Sequence, residues 1–386
     1  MGMRSRRGRH VVLFGTLLFV WQEANAEAPK PELGFREPIV AAGAEASLVR
    51  QVESAVIIPG TAHEELWVHP ELMTLPGEPL VVELRARTTD RLGKDAHSTW
   101  HYFSTDDAFR SLKPLAAPTA RLWARKDLSV TNLLAPRTGA VQLPKSLGHT
   151  WCAAYEHVDA QTVLQPFTTR DGARYAVQSL VARIEKDGLV PQYVSNAHTV
   201  EKGRGLYEPH VAVFQGRCFM TVRAETGRGY VLVSDDLGRT WSQPKPWAWD
   251  SGEDIPMNQT MTKFAAHSDG LALVYTRIRD DNENAFRNRS PLHVADIDVK
   301  TLSLKRATER IIVPNRSTGV KGLPVGNFWV WPINPQETYV TVAEWPRDGR
   351  PQNGDIWLCK IQWRRPNRRL TPEGAEAFPA SQKPTD

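Results

Sequence analysis

Short apolar runs separated by turn residues recur along the chain and predict β-strands. In residues 207–241, three such runs follow one another at 211–214, 218–222 and 230–233. Runs of this length bounded by Gly, Asp and Gln are typical of antiparallel meanders. No stretch after residue 26 shows the 3.6-residue periodicity of a long amphipathic helix. The pattern therefore predicts an all-β fold.

Similar groups of runs fill the rest of the chain, at 72–103, 143–192, 262–298 and 338–363. β-Propellers arrange such small sheets in a ring, and a repeat of about 60 residues would give about six of them. A strand at 55–58 would close the ring against the last sheet. We expect a six-bladed β-propeller over residues 55–363, between an N-terminal extension at 27–54 and a poorly ordered tail at 364–386.

The first 26 residues have the pattern of a signal peptide. Four arginines among residues 4–9 precede an apolar run at 11–21, which is too short to span a bilayer. Ala24-Asn25-Ala26 fits the small-x-small cleavage rule. We expect a secreted or periplasmic protein whose mature chain starts near Glu27, and an uncleaved anchor is the alternative.

Charge and cysteine content narrow the possible partners. The formal charge is +5, but losing the four arginines and one glutamate of residues 1–26 leaves about +2, which does not argue for a nucleic-acid partner. The three cysteines, Cys152, Cys218 and Cys359, allow at most one disulfide and lack metal-site spacing. We expect no cofactor, no metal, no membrane contact in the mature form, and a monomer.

One turn has a specific signature. Residues 234–241 fit the pattern Ser-x-Asp-x-Gly-x-Thr-Trp. An Asp side chain can accept hydrogen bonds from the backbone of a tight turn, and Gly permits a positive φ. We therefore expect a structural role, stapling a hairpin, for Ser234, Asp236, Gly238, Thr240 and Trp241. Residues 104–107 (Ser-Thr-Asp-Asp) resemble a second such turn that has lost its Gly, Thr and Trp.

On these residues, the chain from about 67 to 363 resembles the sialidase (BNR/Asp-box) superfamily. The resemblance implies a six-bladed propeller that cleaves terminal sialic acids. It also implies a site with three arginines, an Asp acid/base, and a Tyr nucleophile paired with a Glu. Arginines suit the substrate carboxylate because a planar guanidinium can donate two parallel hydrogen bonds.

The resemblance carries over residue by residue only in part. Asp95 stands on the loop that holds the acid/base, and Glu208 stands where the family has its Glu. Candidate substrate-binding residues are Arg87, Arg223 as the second arginine, Arg289 as the third, and Arg287 as its rival.

Two positions depart from the family pattern. Trp67-Val68-His69-Pro70 stands where Phe-Arg-Ile-Pro is expected, so the first arginine is missing there. Phe35-Arg36-Glu37-Pro38 resembles that motif but lies too early in the chain. Asn327 or Phe328 occupies the expected position of the Tyr, and neither can act as a phenolate nucleophile. The sequence therefore favours the fold and argues against the usual chemistry.

Three functions remain open. Asp95 and Glu208 held apart around a water would act as an acid–base pair and invert the anomeric centre. In a polysaccharide lyase, His69 or His210 would abstract a proton beside a uronic carboxylate, and Tyr207 would protonate the leaving oxygen. A propeller that binds glycans without turnover is the third. We expect an exo-acting glycoside hydrolase with a glycan substrate that has an acidic or terminal sugar, bound partly by Asn327, and keep the other two as alternatives.

Overall fold

The computed structural model describes residues 33–62, 66–75, 80–89, 99–117, 148, 155–159, 161–185, 188–257, 260–316, 323–346 and 354–370. Its strands form antiparallel sheets, so the all-β prediction is confirmed. Short 3-10 helices lie between strands, at Gly60–Ala62, Phe286–Asn288, Arg306–Thr308 and Arg368–Leu370. Within these ranges, no helix has the length and apolar character needed to cross a membrane.

The strands follow one another in groups along the chain. Two come first, β1 (Ile39–Ala42) and β2 (Val49–Ile58). Blade 1 consists of β3 (Leu66–Leu75), β4 (Val81–Thr89), β5 (Thr99–Thr105) and β6 (Lys113–Leu115). Blade 2 consists of β7 (Glu156–His157), β8 (Thr162–Asp171), β9 (Arg174–Glu185) and β10 (Gly188–Val194). Blade 3 consists of β11 (Tyr207–Phe214), β12 (Arg217–Arg223), β13 (Tyr230–Ser234) and β14 (Lys245–Pro246).

Two more blades follow along the chain. Blade 4 consists of β15 (Lys263–His267), β16 (Gly270–Tyr275), β17 (Leu292–Asp298), β18 (Ser303–Leu304) and β19 (Arg310–Val313). Blade 5 takes β20 (Val325–Asn334), β21 (Glu337–Glu344) and β22 (Ile356–Trp363), and adds β2 and β1 on its outer side.

Blade 5 closes the ring. Strand β2 pairs antiparallel with β22, with Val52 opposite Ile361 and Ala55 opposite Leu358. The predicted strand at 55–58 therefore does join the last sheet. It begins earlier than expected, at Val49, so part of the segment interpreted as an extension belongs to a blade.

The propeller fold is present. Strands β3, β7, β11, β15 and β20 lie at the inner edges of their sheets. Strand β11 contacts β7 and β15, and β20 contacts β15 and β3. The described residues form five sheets, where six were expected. Residues 118–147 and 149–154, between the strands of blades 1 and 2, lie outside the described part of the chain.

The core lies between blades rather than inside one of them. Successive residues of β22 show this, because Leu358 packs towards blade 1 and Cys359 packs towards blade 4. Side chains of a strand alternate between its two faces, so a blade covered on both faces needs apolar residues at successive positions. Cys218 and Cys359 are buried and form no disulfide, and burial raises the pKa of each thiol to about 12. Cys152 lies outside the described residues.

The Ser234–Trp241 turn has the hydrogen bonds predicted for it. The Ser234 hydroxyl donates to Asp236 over 2.7 Å and accepts from the Gly238 N–H over 2.8 Å. Gly238 has a φ of 85°, as the turn requires. The Trp241 indole also reaches the neighbouring blade, because its Nε1 donates to the Ser179 hydroxyl of blade 2 over 2.9 Å. The turn therefore joins two blades.

The Thr105–Leu112 turn repeats this network without the Gly, Thr and Trp. Thr105 donates to Asp107 over 2.8 Å, and the Ser111 N–H donates to Asp107 over 3.0 Å. Phe109 occupies the place of the glycine with a φ of 69°. The Ala108 carbonyl accepts from Lys360 of blade 5 over 2.7 Å. This turn also joins its blade to the preceding one.

The start of the predicted tail lies against the ring. The Arg364 N–H donates to the Leu48 carbonyl over 2.8 Å. The Arg369 guanidinium is paired with Glu156 and donates to the Val213 carbonyl over 2.9 Å. Residues 371–386 lie outside the described part of the chain. Val213 is six residues after Tyr207 in β11, which is about 20 Å at a rise of about 3.3 Å per residue. Arg369 therefore lies at the end of the ring opposite to the start of β11.

The Asp107→Asn variant tests whether the second turn acts as a staple. Burial opposes ionisation, but hydrogen bonds from Ser111 and Thr105 lower the pKa of Asp107 from 3.8 to about 2. A lowered folded-state pKa stabilises the protein above the ordinary value, and that stability is lost as pH falls from 3.8 towards 2. Denaturant unfolding should show the variant to be less stable at neutral pH, with the difference shrinking across that window.

The control for this prediction is Asp106→Asn. Asp106 is exposed and lies 3.3 Å from Lys113, so its loss should change stability by less than about 0.5 kcal/mol. Equal destabilisation by Asp107→Asn at neutral pH and at the acid end of the window would contradict the role of the charge.

Candidate active site

Three inner strands carry a β-bulge close to their first residues. The register shifts occur in β3, β11 and β20. Asn327 of β20 contacts His69 of β3, and Arg289 lies near both Trp345, beside His69, and the charge of Glu208 in β11. These three strands therefore begin at the same end of the ring. A bulge breaks the alternation of side chains and turns the inserted residue in a new direction. The residues in the three bulges are His69, Glu208 and Asn327, all of them candidates from the sequence.

Glu208 forms a buried ion pair with Arg223. The Arg223 Nη1 lies 2.7 Å from the Glu208 Oε2, and the two side chains are 6% and 13% exposed. Glu208 has a φ of 53°, and its N–H donates to the Thr168 hydroxyl of blade 2 over 3.1 Å. The backbone conformation that aims Glu208 is therefore held by the adjacent blade. A pair this buried adds stability only when its geometry is well matched.

Two further arginines come from the loop between β16 and β17 of blade 4. Arg289 is only 2% exposed. Burial lowers the pKa of Arg289 to about 9, and the charge of Arg223 lowers it further in the same direction. Burial and the charge of Arg223 also lower the pKa of Arg287. The structure thus brings Arg223, Arg287 and Arg289 close enough to repel one another.

A tryptophan lies between the arginines and blade 1. The guanidinium carbon of Arg289 is 5.4 Å from the ring centroid of Trp345. The His69 ring stands edge-on to the same indole, with 6.1 Å between ring centroids. Asn327 contacts His69, with 3.4 Å between the Asn327 Nδ2 and the His69 Nδ1. The structure therefore places Trp345 among the candidate site residues.

Gly326 makes room for this tryptophan. A Cβ added to Gly326 would lie 2.3 Å from the Trp345 Nε1 and 2.4 Å from its Cε2. These distances are far below van der Waals contact, and a rigid indole cannot bend away as a flexible side chain can. The glycine just before the bulged Asn327 therefore fixes where Trp345 lies.

Tyr207 supports Arg223 instead of facing the open site. Its side chain is buried, at 2% exposure. The phenol accepts a hydrogen bond from Arg204 over 2.8 Å and donates to Glu225 over 3.4 Å. Arg223 lies over the ring, 4.8 Å from its centroid, and burial raises the pKa of the phenol. In this arrangement Tyr207 holds Arg223, and sequence reasoning missed its partners Arg204 and Glu225.

Two candidates, His210 and Arg87, have their described contacts outside this group. His210 lies deeper in the ring, where its Nδ1 accepts from the Phe264 N–H over 3.3 Å. Arg87 stacks on Trp100 in blade 1, 4.2 Å from the ring centroid. Asp95 lies outside the described residues. Within the ranges that the structure covers, no three His, Cys, Asp or Glu side chains are grouped to hold a metal ion.

A repeated register gives Arg87 and Arg223 equivalent places. Arg87 is opposite Val68, the residue before the bulged His69. Arg223 is opposite Tyr207, the residue before the bulged Glu208. The sequence carries a signal for this repeat, because both bulged residues are followed by Pro. Reading the two blades side by side would have identified the bulges.

Comparisons with known proteins do not identify a substrate or a reaction for this site. No model of a protein family matches the chain, and no curated protein matches it. Similar solved structures include a sucrose-6-phosphate hydrolase from Lactobacillus gasseri, which is 12% identical, with 76% of this chain and 59% of that chain covered and a TM-score of 0.42. A GH43_1 enzyme from Xanthomonas citri is 9% identical, with coverages of 79% and 89% and a TM-score of 0.40.

A sialidase from Trypanosoma rangeli is also similar. It is 9% identical, with 86% of this chain and 58% of that chain covered and a TM-score of 0.39. The chain spans about three fifths of the length of the Lactobacillus and Trypanosoma structures. With identities and TM-scores this low, the similarities carry no argument about substrate or mechanism.

The Gly326→Ala variant tests whether the glycine positions Trp345. The new methyl group must displace the indole, so we expect a loss of about 1–3 kcal/mol in the free energy of unfolding, as for overpacking. The contact with Arg289 should loosen as well. Gly270→Ala is the control, because its Cβ would meet only the flexible end of Leu48, at 2.9 Å. Similar stability of the two variants in denaturant unfolding would contradict the assignment.

Proposed function

We propose that this chain is an exported, glycan-active propeller that binds a carboxylated sugar where β3, β11 and β20 begin and hydrolyses its glycosidic bond. The observation that carries the proposal is the burial of Arg289 beside Arg223 and Arg287, which lowers the pKa of Arg289 to about 9. Burying neighbouring cations is unfavourable, and an anionic ligand would offset their repulsion. Export rests on the signal-peptide pattern of residues 1–26.

A carboxylate suits this arrangement better than a neutral sugar does. Guanidinium groups donate paired hydrogen bonds to carboxylate oxygens. Glu208 already neutralises part of the charge of Arg223 at 2.7 Å and fixes its orientation. The Trp345 indole next to Arg289 offers an apolar surface of the kind on which sugar rings stack. Acidic sugars combine these two features in one ring.

Hydrolysis in this site would not use a tyrosine nucleophile. Asn327 stands in the bulge of β20, and the Tyr207 phenol is buried and hydrogen bonded to Arg204 and Glu225. Glu208 is then the carboxylate that would activate a water, and Asp95 is the sequence candidate for the acid. Two carboxyl groups separated by a water invert the anomeric configuration. The product stereochemistry is therefore part of the proposal.

One contact favours a second candidate function, a lyase acting on uronic-acid glycans. Asn327 lies 3.4 Å from the His69 Nδ1, so the amide could hold the ring while its other nitrogen faces the site. A neutral His69 would remove the proton beside the uronic carboxylate, and Arg289 would stabilise the negative charge that develops there. As the bond between carbon and the leaving oxygen breaks, a water would protonate that oxygen, His69 would return its proton to solvent, and the ring would gain a double bond.

A substrate panel separates these functions. The mature protein is incubated with sialosides, neutral aryl glycosides and uronic-acid polysaccharides. New reducing ends without absorbance of an unsaturated uronate would support hydrolysis, and that absorbance would support the lyase. Binding without turnover of any substrate would indicate a non-catalytic propeller.

Glu208→Gln and Arg223→Lys test the roles of the ion pair. Glu208→Gln keeps the shape and removes the base, so turnover should fall by about 10²-fold or more. Arg223→Lys loses bidentate geometry and should mainly raise KM. Both are measured as kcat and KM on the best substrate of the panel.

Glu156→Gln is the matched control. Glu156 pairs with Arg369 at the far end of the ring, where the side chains are 5% and 11% exposed, so the same chemical change occurs away from the site. It should lower stability without changing kcat or KM. Unchanged kinetics in both site variants, or equal losses in the control, would overturn the site assignment.

A further inference from the structure

The loop that carries Arg287 and Arg289 has an unusual backbone. Arg287 has a φ of 57° and Asn288 a φ of 51°, in the left-handed region that residues other than Gly and Asn seldom adopt. Two such residues in succession persist only where the surroundings hold them. The Asn288 N–H donates to the Ala285 carbonyl over 2.8 Å, and the Arg289 N–H donates to the Phe286 carbonyl over 3.3 Å. These local bonds alone do not connect the loop to its strands.

Asn282 makes that connection. Its side chain is fully buried, at 0% exposure. The Nδ2 donates to the Arg277 carbonyl and to the Ser290 carbonyl, each over 2.9 Å. Arg277 follows the end of β16, and Ser290 precedes the start of β17. One amide therefore ties together the two ends of the loop.

The oxygen of the same side-chain amide binds residues inside the loop. The Oδ1 accepts from the Arg279 N–H over 2.9 Å and from the Asn288 Nδ2 over 3.0 Å. Asn288 is one of the two left-handed residues and lies between Arg287 and Arg289. The donor and acceptor capacity of Asn282 is thus used on both sides of the segment that carries the arginines.

We infer that Asn282 is a positioning residue for the candidate site, holding Arg287 and Arg289 in the place where they would meet a carboxylate. This rests on the proposed function for its consequence in ligand binding. The positioning role itself does not depend on the proposed function, because Asn282 holds the arginines whether or not a ligand is bound. Loss of the amide leaves buried carbonyl and N–H groups without their partner, so the loop should open first at Arg287 and Arg289.

A test that needs no ligand is chemical modification of arginine. Wild-type protein and Asn282→Ala are treated with phenylglyoxal, and the rate at each arginine is followed by peptide mass spectrometry. Arg289 should react slowly in wild type and at least about ten-fold faster in the variant, because the amide makes four hydrogen bonds and the loss of even one that is buried corresponds to about that factor. Arg223 lies on β12, outside the loop, and should keep its rate.

Asn367→Ala is the matched control. Asn367 is also buried, at 1% exposure, and its amide bonds the Ala266 carbonyl and the Ser268 N–H, each over 3.0 Å. It lies beside Arg369 at the far end of the ring. Its loss should reduce stability while leaving the labelling of Arg287 and Arg289 unchanged. Equal acceleration at all buried arginines in Asn282→Ala would reduce Asn282 to a general structural residue and overturn the inference.

Binding gives the second readout. Galacturonate and N-acetylneuraminate are titrated into wild type, Asn282→Ala and Asn367→Ala. Weakened binding of the bound acid in Asn282→Ala alone supports the inference. Absence of binding to wild type contradicts the proposed function, while the labelling result still decides the positioning role.

A milder variant covers the case in which Asn282→Ala does not fold. Asn288→Gly removes the contact with the Asn282 Oδ1 and suits a positive φ better than other residues do. It should accelerate labelling of Arg287 and Arg289 with little loss of stability. Labelling at wild-type rates in this folded variant would contradict the positioning role.

Discussion

The pairing of β2 with β22 is the contact on which the rest of the structure depends. It joins the two ends of the propeller in one sheet and so converts a row of blades into a closed ring. Without closure, each inner strand would keep its own hairpin, but the first residues of β3, β11 and β20 would not face one another. Anchors on both sides support the closure, since the Leu48 N–H donates to Asp296 of blade 4 over 2.8 Å. Lys360 of β22 donates to the turn of blade 1.

The ring turns three local irregularities into one group of side chains. A bulge in a single hairpin would only disturb a strand, whereas bulges at the same end of three inner strands aim His69, Glu208 and Asn327 towards a common space. Buried arginines from blades 3 and 4 then bring positive charge into it. Burial, and after it the charge of Arg223, lower the pKa of Arg289, and a bound anion would stabilise its charged form. Under the proposed function, this stabilisation would contribute to the binding of an acidic ligand.

Much of the fold could be predicted from the sequence, because strands and tight turns depend on short local patterns of residues. The apolar runs predicted strands in each of blades 1 to 5, although β20 lies outside them. The residues at 234–241 predicted the hydrogen bonds of their turn. The contribution of β1 to the last sheet was not predicted, because its residues were interpreted as part of an extension. The Thr105–Leu112 turn was underestimated, since Phe109 adopts a positive φ that a sequence pattern assigns to Gly.

Only part of the candidate active site could be predicted from the sequence. Glu208, Arg223 and Arg289 were named from their resemblance to a family pattern, and the structure brings them together. Arg204 and Glu225 were missed because their contacts with Tyr207 depend on how the loop before β11 folds against blade 3, which no sequence spacing reveals. His210 was predicted as a catalytic residue, but its ring contacts the Phe264 N–H and lies away from the arginines.

The central claim is that the arginines recognise a carboxylate, and one calorimetric comparison tests it most directly. Galacturonate and galactose differ at one carbon, which carries a carboxylate in the first and a hydroxymethyl group in the second. Titration of each into the wild-type protein, at low and at high salt, isolates the contribution of that charge. The account predicts that the acid binds, that the neutral sugar binds much more weakly, and that salt reduces the difference. Equal affinity for the two sugars would contradict it.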